Sequence, residues 1–167
     1  MASAAAAATA AAPGTKLTIR LPDDFHHHVR DGKKTAAVLK FAAPRFGRIL
    51  MMPNTKPPVI DTAMAIKYKE HIMKSFPPEA SDDNDDVQPI MTLYLTDRTS
   101  PEEIQKAHAE FGKYVACKYY PAGATTNSDS GVTNVTNLYP VLEEMQKLGY
   151  VRCSVYFLEK EKKYGPQ

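Results

Sequence analysis

Pro89-Ile-Met-Thr-Leu-Tyr-Leu95, Ser100-Pro-Glu-Glu103 and Tyr114-Val-Ala-Cys-Lys-Tyr119 follow one another along the chain and decide the fold. The first and third are short, nearly unbroken apolar runs, the pattern of strands buried on both faces. The middle segment sets a capping serine three residues before a glutamate and puts proline at the first helical position. The helix it opens carries Ile104, Ala107, His108 and Phe111 inward and ends at Gly112. A strand, a helix and a strand in succession imply a parallel pair joined by a right-handed crossover.

The same unit recurs to either side. Gly47-Arg-Ile-Leu-Met-Met52 reads as another buried strand, and Leu17-Thr-Ile-Arg-Leu21 as a short first one. Asp61 caps a helix with Ala65, Tyr68, Ile72 and Phe76 on one face, stopped by Pro77-Pro78. A last helix carries Leu138, Val141, Leu142, Met145 and Leu148, with Pro140 in its first turn and Gly149 at its end. A fifth strand is expected around Val151 to Phe157. The order β-α-β-α-β-α-β-α fits either a doubly wound open sheet or a partial (β/α)8 TIM barrel of about four to five βα units. No glycine-rich loop follows the first strand, which weighs against a nucleotide-binding open sheet. A whole barrel usually takes about 250 residues, and this chain has 167.

Composition narrows the function classes. With 43% hydrophobic and 24% charged residues the chain reads as soluble and globular. A net charge of +2, with both signs scattered, gives no footprint for nucleic acid or an anionic membrane. No apolar run is long enough to span a bilayer. Cys117 and Cys153, the only cysteines, lack metal-finger spacing and read as buried thiols in a reducing compartment. Residues 1–14 are almost all Ala, Ser and Thr. They read as a disordered leader of a cytoplasmic protein, or as a mitochondrial or plastid transit peptide, although arginine is lacking. The insertion from Pro77 to Val87 holds Ser-Asp-Asp-Asn-Asp-Asp and reads as a solvated acidic loop, since the spacing of a calcium-binding loop is absent.

Unusual residues gather where the strands end, which is where parallel α/β folds build their sites. The first strand runs into Asp23-Asp-Phe-His-His-His-Val-Arg-Asp31. In an extended segment His26 and His28 project to one side and His27 to the other. The pair can then hold a metal ion as neutral nitrogen ligands, or form a solvated cluster. Lys118 lies inside an apolar strand. Burial drives an ammonium toward its neutral, nucleophilic form, able to make a Schiff base or a carbamate; alternatively the side chain snorkels to solvent. Arg30 offers a planar fork suited to a carboxylate, or pairs with Asp31 or Asp24 at the surface. Asn54 can donate and accept beside it, or serve the turn before Pro57-Pro58.

These pieces together resemble one family. Pro22-Asp-Asp-Phe-His-His-His-Val-Arg-Asp-Gly32 is similar to the opening signature of class II dihydroorotases, usually a PDDWHLHLRDG string. Met52-Pro-Asn-Thr-Lys-Pro-Pro58 resembles their MPNLxPP segment, and Met91-Thr-Leu-Tyr-Leu-Thr-Asp97 their MTxYLTD segment. Lys118-Tyr-Tyr-Pro-Ala-Gly-Ala-Thr-Thr-Asn-Ser128 resembles KLYPAxATTNS, with Gly131-Val-Thr133 following in place. The likeness covers Leu17 to Gly149, within a domain of residues 15–149. It implies a (β/α)8 barrel of the metal-dependent hydrolase type with two zinc ions. It implies His26 and His28 as ligands of one zinc and a carbamylated Lys118 bridging both. It implies Arg30 and Asn54 on the substrate carboxylate, and Thr125 and Thr126 on a loop that closes over the substrate. The implied reaction of pyrimidine synthesis closes N-carbamoyl-L-aspartate reversibly to L-dihydroorotate with loss of water. Complete members are expected to be homodimers acting on this small molecule.

Phe25, His27 and Tyr119 depart from the usual strings. The larger departure is the tail, residues 150–167, which does not read as family-like. Where the family leads into a metal-binding His-Gly-Glu, this chain reads Tyr150-Val-Arg-Cys-Ser. The remaining zinc histidines and a later strand-end aspartate have no counterpart, and a frameshift, a retained intron or a faulty gene model is the expectation. The resemblance therefore implies an amino-terminal portion with an incomplete site and poor stability alone. Two other readings stay open: a different cyclic-amide hydrolase, or a non-catalytic product that at most associates with complete subunits.

Overall fold

The computed structural model describes residues 14–16, 18–77, 87–123 and 128–150. Its elements alternate strictly: β1 (Asp23–His27), α1 (Lys33–Ala42), β2 (Arg48–Met51), α2 (Thr62–Ser75), β3 (Gln88–Tyr94), α3 (Pro101–Phe111), β4 (Val115–Lys118) and α4 (Tyr139–Lys147). Short 3-10 turns at Ala43–Arg45, Gly112–Tyr114 and Val135–Leu138 adjust the joins. The four strands form one sheet in the order β1-β2-β3-β4, and every pair is parallel. An open doubly wound sheet reverses its strand order partway, whereas sequential order is that of a barrel segment. Successive helices touch one another, α1 with α2, α2 with α3 and α3 with α4. They thus share one face of the sheet, as in a partial (β/α)8 barrel.

The core lies between that helical layer and the sheet. Ile49, Met51, Met91 and Leu93 are fully buried from the strands, and Leu39, Ala65, Ile72, Ile104 and Ala107 from the helices. Burying each large aliphatic side chain stabilises the fold by roughly 1.5–3 kcal/mol, as an upper estimate. Register fixes the second face. Thr92 stands opposite Ala116 and Tyr94 opposite Lys118, so these four share the side away from Met91 and Leu93.

Helix ends follow the sequence closely. The Asp61 carboxylate accepts from the Met64 N–H at 2.8 Å, and Gly112 and Gly149 terminate their helices at φ 56° and 75°. The expected capping box closes only in part. Ser100 Oγ accepts from the Glu103 N–H at 3.4 Å. The Glu103 carboxylate instead reaches the neighbouring helix, accepting from Thr62 N–H at 2.7 Å and Thr62 Oγ1 at 2.5 Å. The start of α2 exposes orphan N–H groups beside α3, and a carboxylate is favourable there.

The first strand is displaced from its expected place. Residues 18–22 carry no strand, and Ile19 and Leu21 stand 78% and 46% exposed. The sheet begins at Asp23, whose register partner is Arg48. Asp23 accepts from the Arg48 guanidinium at both carboxylate oxygens, through Nε at 2.9 Å and through Nη2. Gly47 N–H donates to Pro22 O and Met52 N–H to His27 O, both at 2.9 Å. A polar segment thus becomes a strand because its neighbour recruits it, against the propensity of its residues.

The leader 1–13, Leu17, the acidic run within 78–86, the loop 124–127 with Thr125 and Thr126, and 151–167 with the expected fifth strand and Cys153 lie outside the described residues. Among the described residues no helix is long and apolar enough to cross a membrane. Cys117 is a free thiol that burial pushes up to about 12, so it stays protonated.

Candidate metal centre and carboxylate site

His26, Asn54, Met52 and Lys118 all sit at the C-terminal ends of β1, β2 and β4 or just beyond them. Three strand spacings in a flat sheet span about 14 Å. Lys118 on β4 nevertheless brings Nζ to 3.3 Å from His26 Nε2 on β1, across 92 residues of chain. The sheet is therefore curved, and its hollow side is the one that carries Lys118.

The two outer histidines meet. His26 Nε2 and His28 Nε2 are 3.2 Å apart, with ring centroids at 5.2 Å. His27 turns aside, its Nδ1 2.7 Å from Asp24 Oδ2. The alternation expected of an extended segment holds. Asp24 organises the turn from below, because its other oxygen accepts from the His26 N–H at 2.9 Å. Two nitrogens about 2.0–2.1 Å from a tetrahedral zinc would stand about 3.3–3.4 Å apart. The observed spacing thus suits two positions of a metal site. Among the described residues no three His, Cys, Asp or Glu side chains converge, so these two nitrogens and the Lys118 amine are the donors gathered here.

The electrostatics favour neutral donors. Burial, then the Lys118 charge, lowers both histidines, and His28 falls to about 4 from an ordinary 6.5. Burial also pushes Lys118 down to about 8. About half of its amines are then neutral at pH 8. Replacing Lys118 with methionine removes the second cause and leaves the first. Both imidazoles should titrate higher in the metal-free chain, with His28 still below 6.5. Ring-proton NMR titration reads this directly, and unmoved midpoints would show that the lysine charge does not reach the pair.

Two neighbours of Lys118 escaped the sequence reading. Nζ lies 2.9 Å from Met52 Sδ and 4.6 Å from the centroid of the Tyr120 ring, which stacks on Tyr94 at 5.4 Å. A thioether and an aromatic ring supply the low-polarity surroundings that shift an amine. Neither carries a sequence signal, since both residue types at a strand end read as ordinary core.

The carboxylate candidates come from adjacent loops. His27 pairs with Met51 across the sheet, so Arg30 and Asn54 each follow by three residues. Asn54 is buried, and its Oδ1 has no hydrogen-bond partner. An orphaned buried acceptor costs about 1–3 kcal/mol, and a ligand with an N–H would relieve it. The amide can also turn its Nδ2 outward to a carboxylate. Arg30 is exposed and adopts φ 64°, the one positive φ outside glycine among the described residues. The loop that holds Thr125 and Thr126 is described only at its base. Val132 N–H donates to Tyr120 O at 2.7 Å and Ala122 N–H to Val132 O at 2.9 Å.

No protein-family model matches the chain. Among curated proteins it is similar to the dihydroorotase of Vibrio cholerae serotype O1, at 56% identity over 135 residues, 81% of this chain and 37% of that one. It is 50% identical to the dihydroorotase of an Azoarcus strain over 137 residues, 82% of this chain and 38% of that one. The chain thus spans under two fifths of the length of these relatives. The fold matches the crystal structure of Campylobacter jejuni dihydroorotase with a TM-score of 0.64 and 33% identity, over 77% of this chain and 36% of that one. It matches Saccharomyces cerevisiae dihydroorotase in complex with 5-fluoroorotic acid with a TM-score of 0.66 and 29% identity, over 84% and 38%.

Proposed function

Because the chain is homologous to dihydroorotases over about four fifths of its length, we propose that it supplies part of a site that closes N-carbamoyl-L-aspartate to L-dihydroorotate and reopens it. The observation that carries this reading is the meeting of His26 Nε2, His28 Nε2 and Lys118 Nζ within 3.3 Å contacts from opposite edges of the sheet. His26 and His28 would hold zinc as neutral imidazoles. A bound zinc supplies an activated water and polarises the ring amide carbonyl.

Lys118 has its own chemistry to perform. Its neutral amine attacks carbon dioxide, forming an N–C bond and releasing a proton to solvent. The resulting carbamate is an anionic oxygen donor that an ammonium group cannot be. Met52 and Tyr120 assist by keeping the amine poorly solvated. Arg30 would grip the substrate carboxylate with its fork, and the Asn54 amide would bond beside it. The bound 5-fluoroorotic acid of the yeast relative is a pyrimidine carboxylate, the chemistry this pair would recognise. Place in pyrimidine synthesis belongs to the same proposal.

A chimera tests it. Residues 15–149 would replace the matching segment of the Vibrio cholerae relative. The chimera should convert N-carbamoyl-L-aspartate and ignore dihydrouracil, which lacks the carboxylate. A folded, zinc-loaded chimera that turns over dihydrouracil alone would move the reading to another cyclic-amide hydrolase, the class of the Arthrobacter aurescens L-hydantoinase that shares the fold at 16% identity. One that turns over neither would sink it.

A further inference from the structure

We propose that Thr35, Tyr68 and His71 act as a positioning clamp that fixes the main chain of Arg30 so that its guanidinium points at the ligand carboxylate. The proposal rests on the reading of Arg30 as the carboxylate-binding residue. Arg30 lies between β1 and α1 at φ 64°, a conformation in which Cβ crowds the backbone and which an arginine does not hold unaided. Such outliers persist where the surroundings over-determine them.

The surroundings here are specific. Thr35 Oγ1, from the first turn of α1, donates to Arg30 O at 3.0 Å. The Tyr68 hydroxyl, from α2, donates to the same oxygen at 3.3 Å. Both lone pairs of one carbonyl are thus occupied from two helices. Behind them His71 Nε2 lies 3.0 Å from Thr35 Oγ1. Since the threonine proton is spent on Arg30, His71 must donate, which fixes its tautomer with the proton on Nε2. The relay runs His71 to Thr35 to Arg30, with Tyr68 closing from the other side. Thr35 is fully buried and Tyr68 is 8% exposed, so water does not compete for the bonds. Burial, then the nearby Asp31 charge, raises the Tyr68 phenol, which therefore remains a donor through the physiological range.

A merely structural clamp would satisfy the carbonyl and do nothing more. A positioning clamp makes a different prediction, because carboxylate recognition needs the fork at one angle while ring recognition does not. The test uses the 167-residue chain, with L-dihydroorotate and dihydrouracil as probes that differ by the carboxylate. Wild type should bind the carboxylated ring more tightly. Tyr68→Phe and Thr35→Val should each cut that preference about tenfold, a loss in the range for one neutral hydrogen bond, with dihydrouracil binding unchanged. Thr35→Ser, which keeps the hydroxyl, should restore it. Backbone chemical shifts of Arg30 should leave the positive-φ range in the Tyr68→Phe, Thr35→Val double variant and remain there in Thr35→Ser. Variants that retain the full preference, or that lose both ligands equally, overturn the clamp alone. A wild-type chain that binds the two rings alike overturns the carboxylate role of Arg30, and the clamp with it.

Discussion

Alanine at both His26 and His28 should lower the zinc affinity of this chain by roughly 100-fold or more. Losing a hydrogen-bond partner behind a metal ligand already costs about 10–100-fold, and here two donors themselves are removed. The Nε2 atoms stand 3.2 Å apart, so one ion can use both. His27→Gln should cost far less, because that ring is turned toward Asp24. Competition with a chromophoric chelator measures all three proteins. Equal losses from His27 and from the pair would contradict the geometry, as would no loss from the pair. The pH dependence adds a second handle. His28 is lowered to about 4, so it remains unprotonated at pH 5–6, where ordinary histidines gain charge, and burial, then the Lys118 charge, lowers His26 in the same direction. Zinc binding should therefore persist below pH 6.5 and weaken as pH falls toward 4. The same shift bears on folding without metal. The unfolded chain binds more protons than the folded one between those values, so stability is full above about 6.5 and declines as pH falls through the window.

What could be read from sequence divides along a physical line. Strands β2, β3 and β4 were legible because buried parallel strands are continuous apolar runs, and the helix ends because Asp61, Ser100, Gly112 and Gly149 act locally. β1 was not. Its residues form a strand only by pairing with β2, through Asp23 with Arg48 and the Met52 N–H with His27 O. The Glu103 carboxylate was likewise legible as a cap, but which helix it caps depends on α2 lying alongside. In the site, His26, His28 and Lys118 stood out as residue types in uncharacteristic places. Their convergence was carried by the family motifs, since nothing in spacing alone brings β4 to β1. Met52 and Tyr120 went unmarked because each has an ordinary use where it sits, and Asp24, read as a possible surface partner of Arg30, instead holds His27. The clamp on Arg30 is wholly tertiary: it joins positions 30, 35, 68 and 71 through one carbonyl.

Gly131→Ala should be the most damaging single substitution near the site, costing about 3 kcal/mol or more by the overpacking mechanism. A Cβ at residue 131 would lie 2.5 Å from Tyr120 O, 2.9 Å from Ser128 O and 3.0 Å from Ala122 N. All three are backbone atoms, so no side chain can swing away to make room. Relief requires the segment around Tyr120 to part from the segment around Val132. That breaks the parallel bridge between Pro121 and Val132, with its 2.7 and 2.9 Å hydrogen bonds. It also pulls on Thr133, whose N–H donates to the Asp97 carboxylate at 3.0 Å, and on Val132, which is 1% exposed within the core. Gly149→Ala is the informative control. Gly149 has φ 75° and nothing within 4 Å of the added atom, so only left-handed strain remains, about 1–2 kcal/mol. A barrel segment with strands β1 and β4 each paired on one side among the described residues has little stability to spare. The Gly131 variant should therefore lose most of its cooperative circular-dichroism transition while the Gly149 variant keeps a lowered one. The site would register the change as well. Displacing Tyr120 takes the ring from its place 4.6 Å from Lys118 Nζ, so in any folded fraction the lysine titration should move away from about 8. Equal melting of the two variants would mean that the close approach at Gly131 is absent from the molecule in solution.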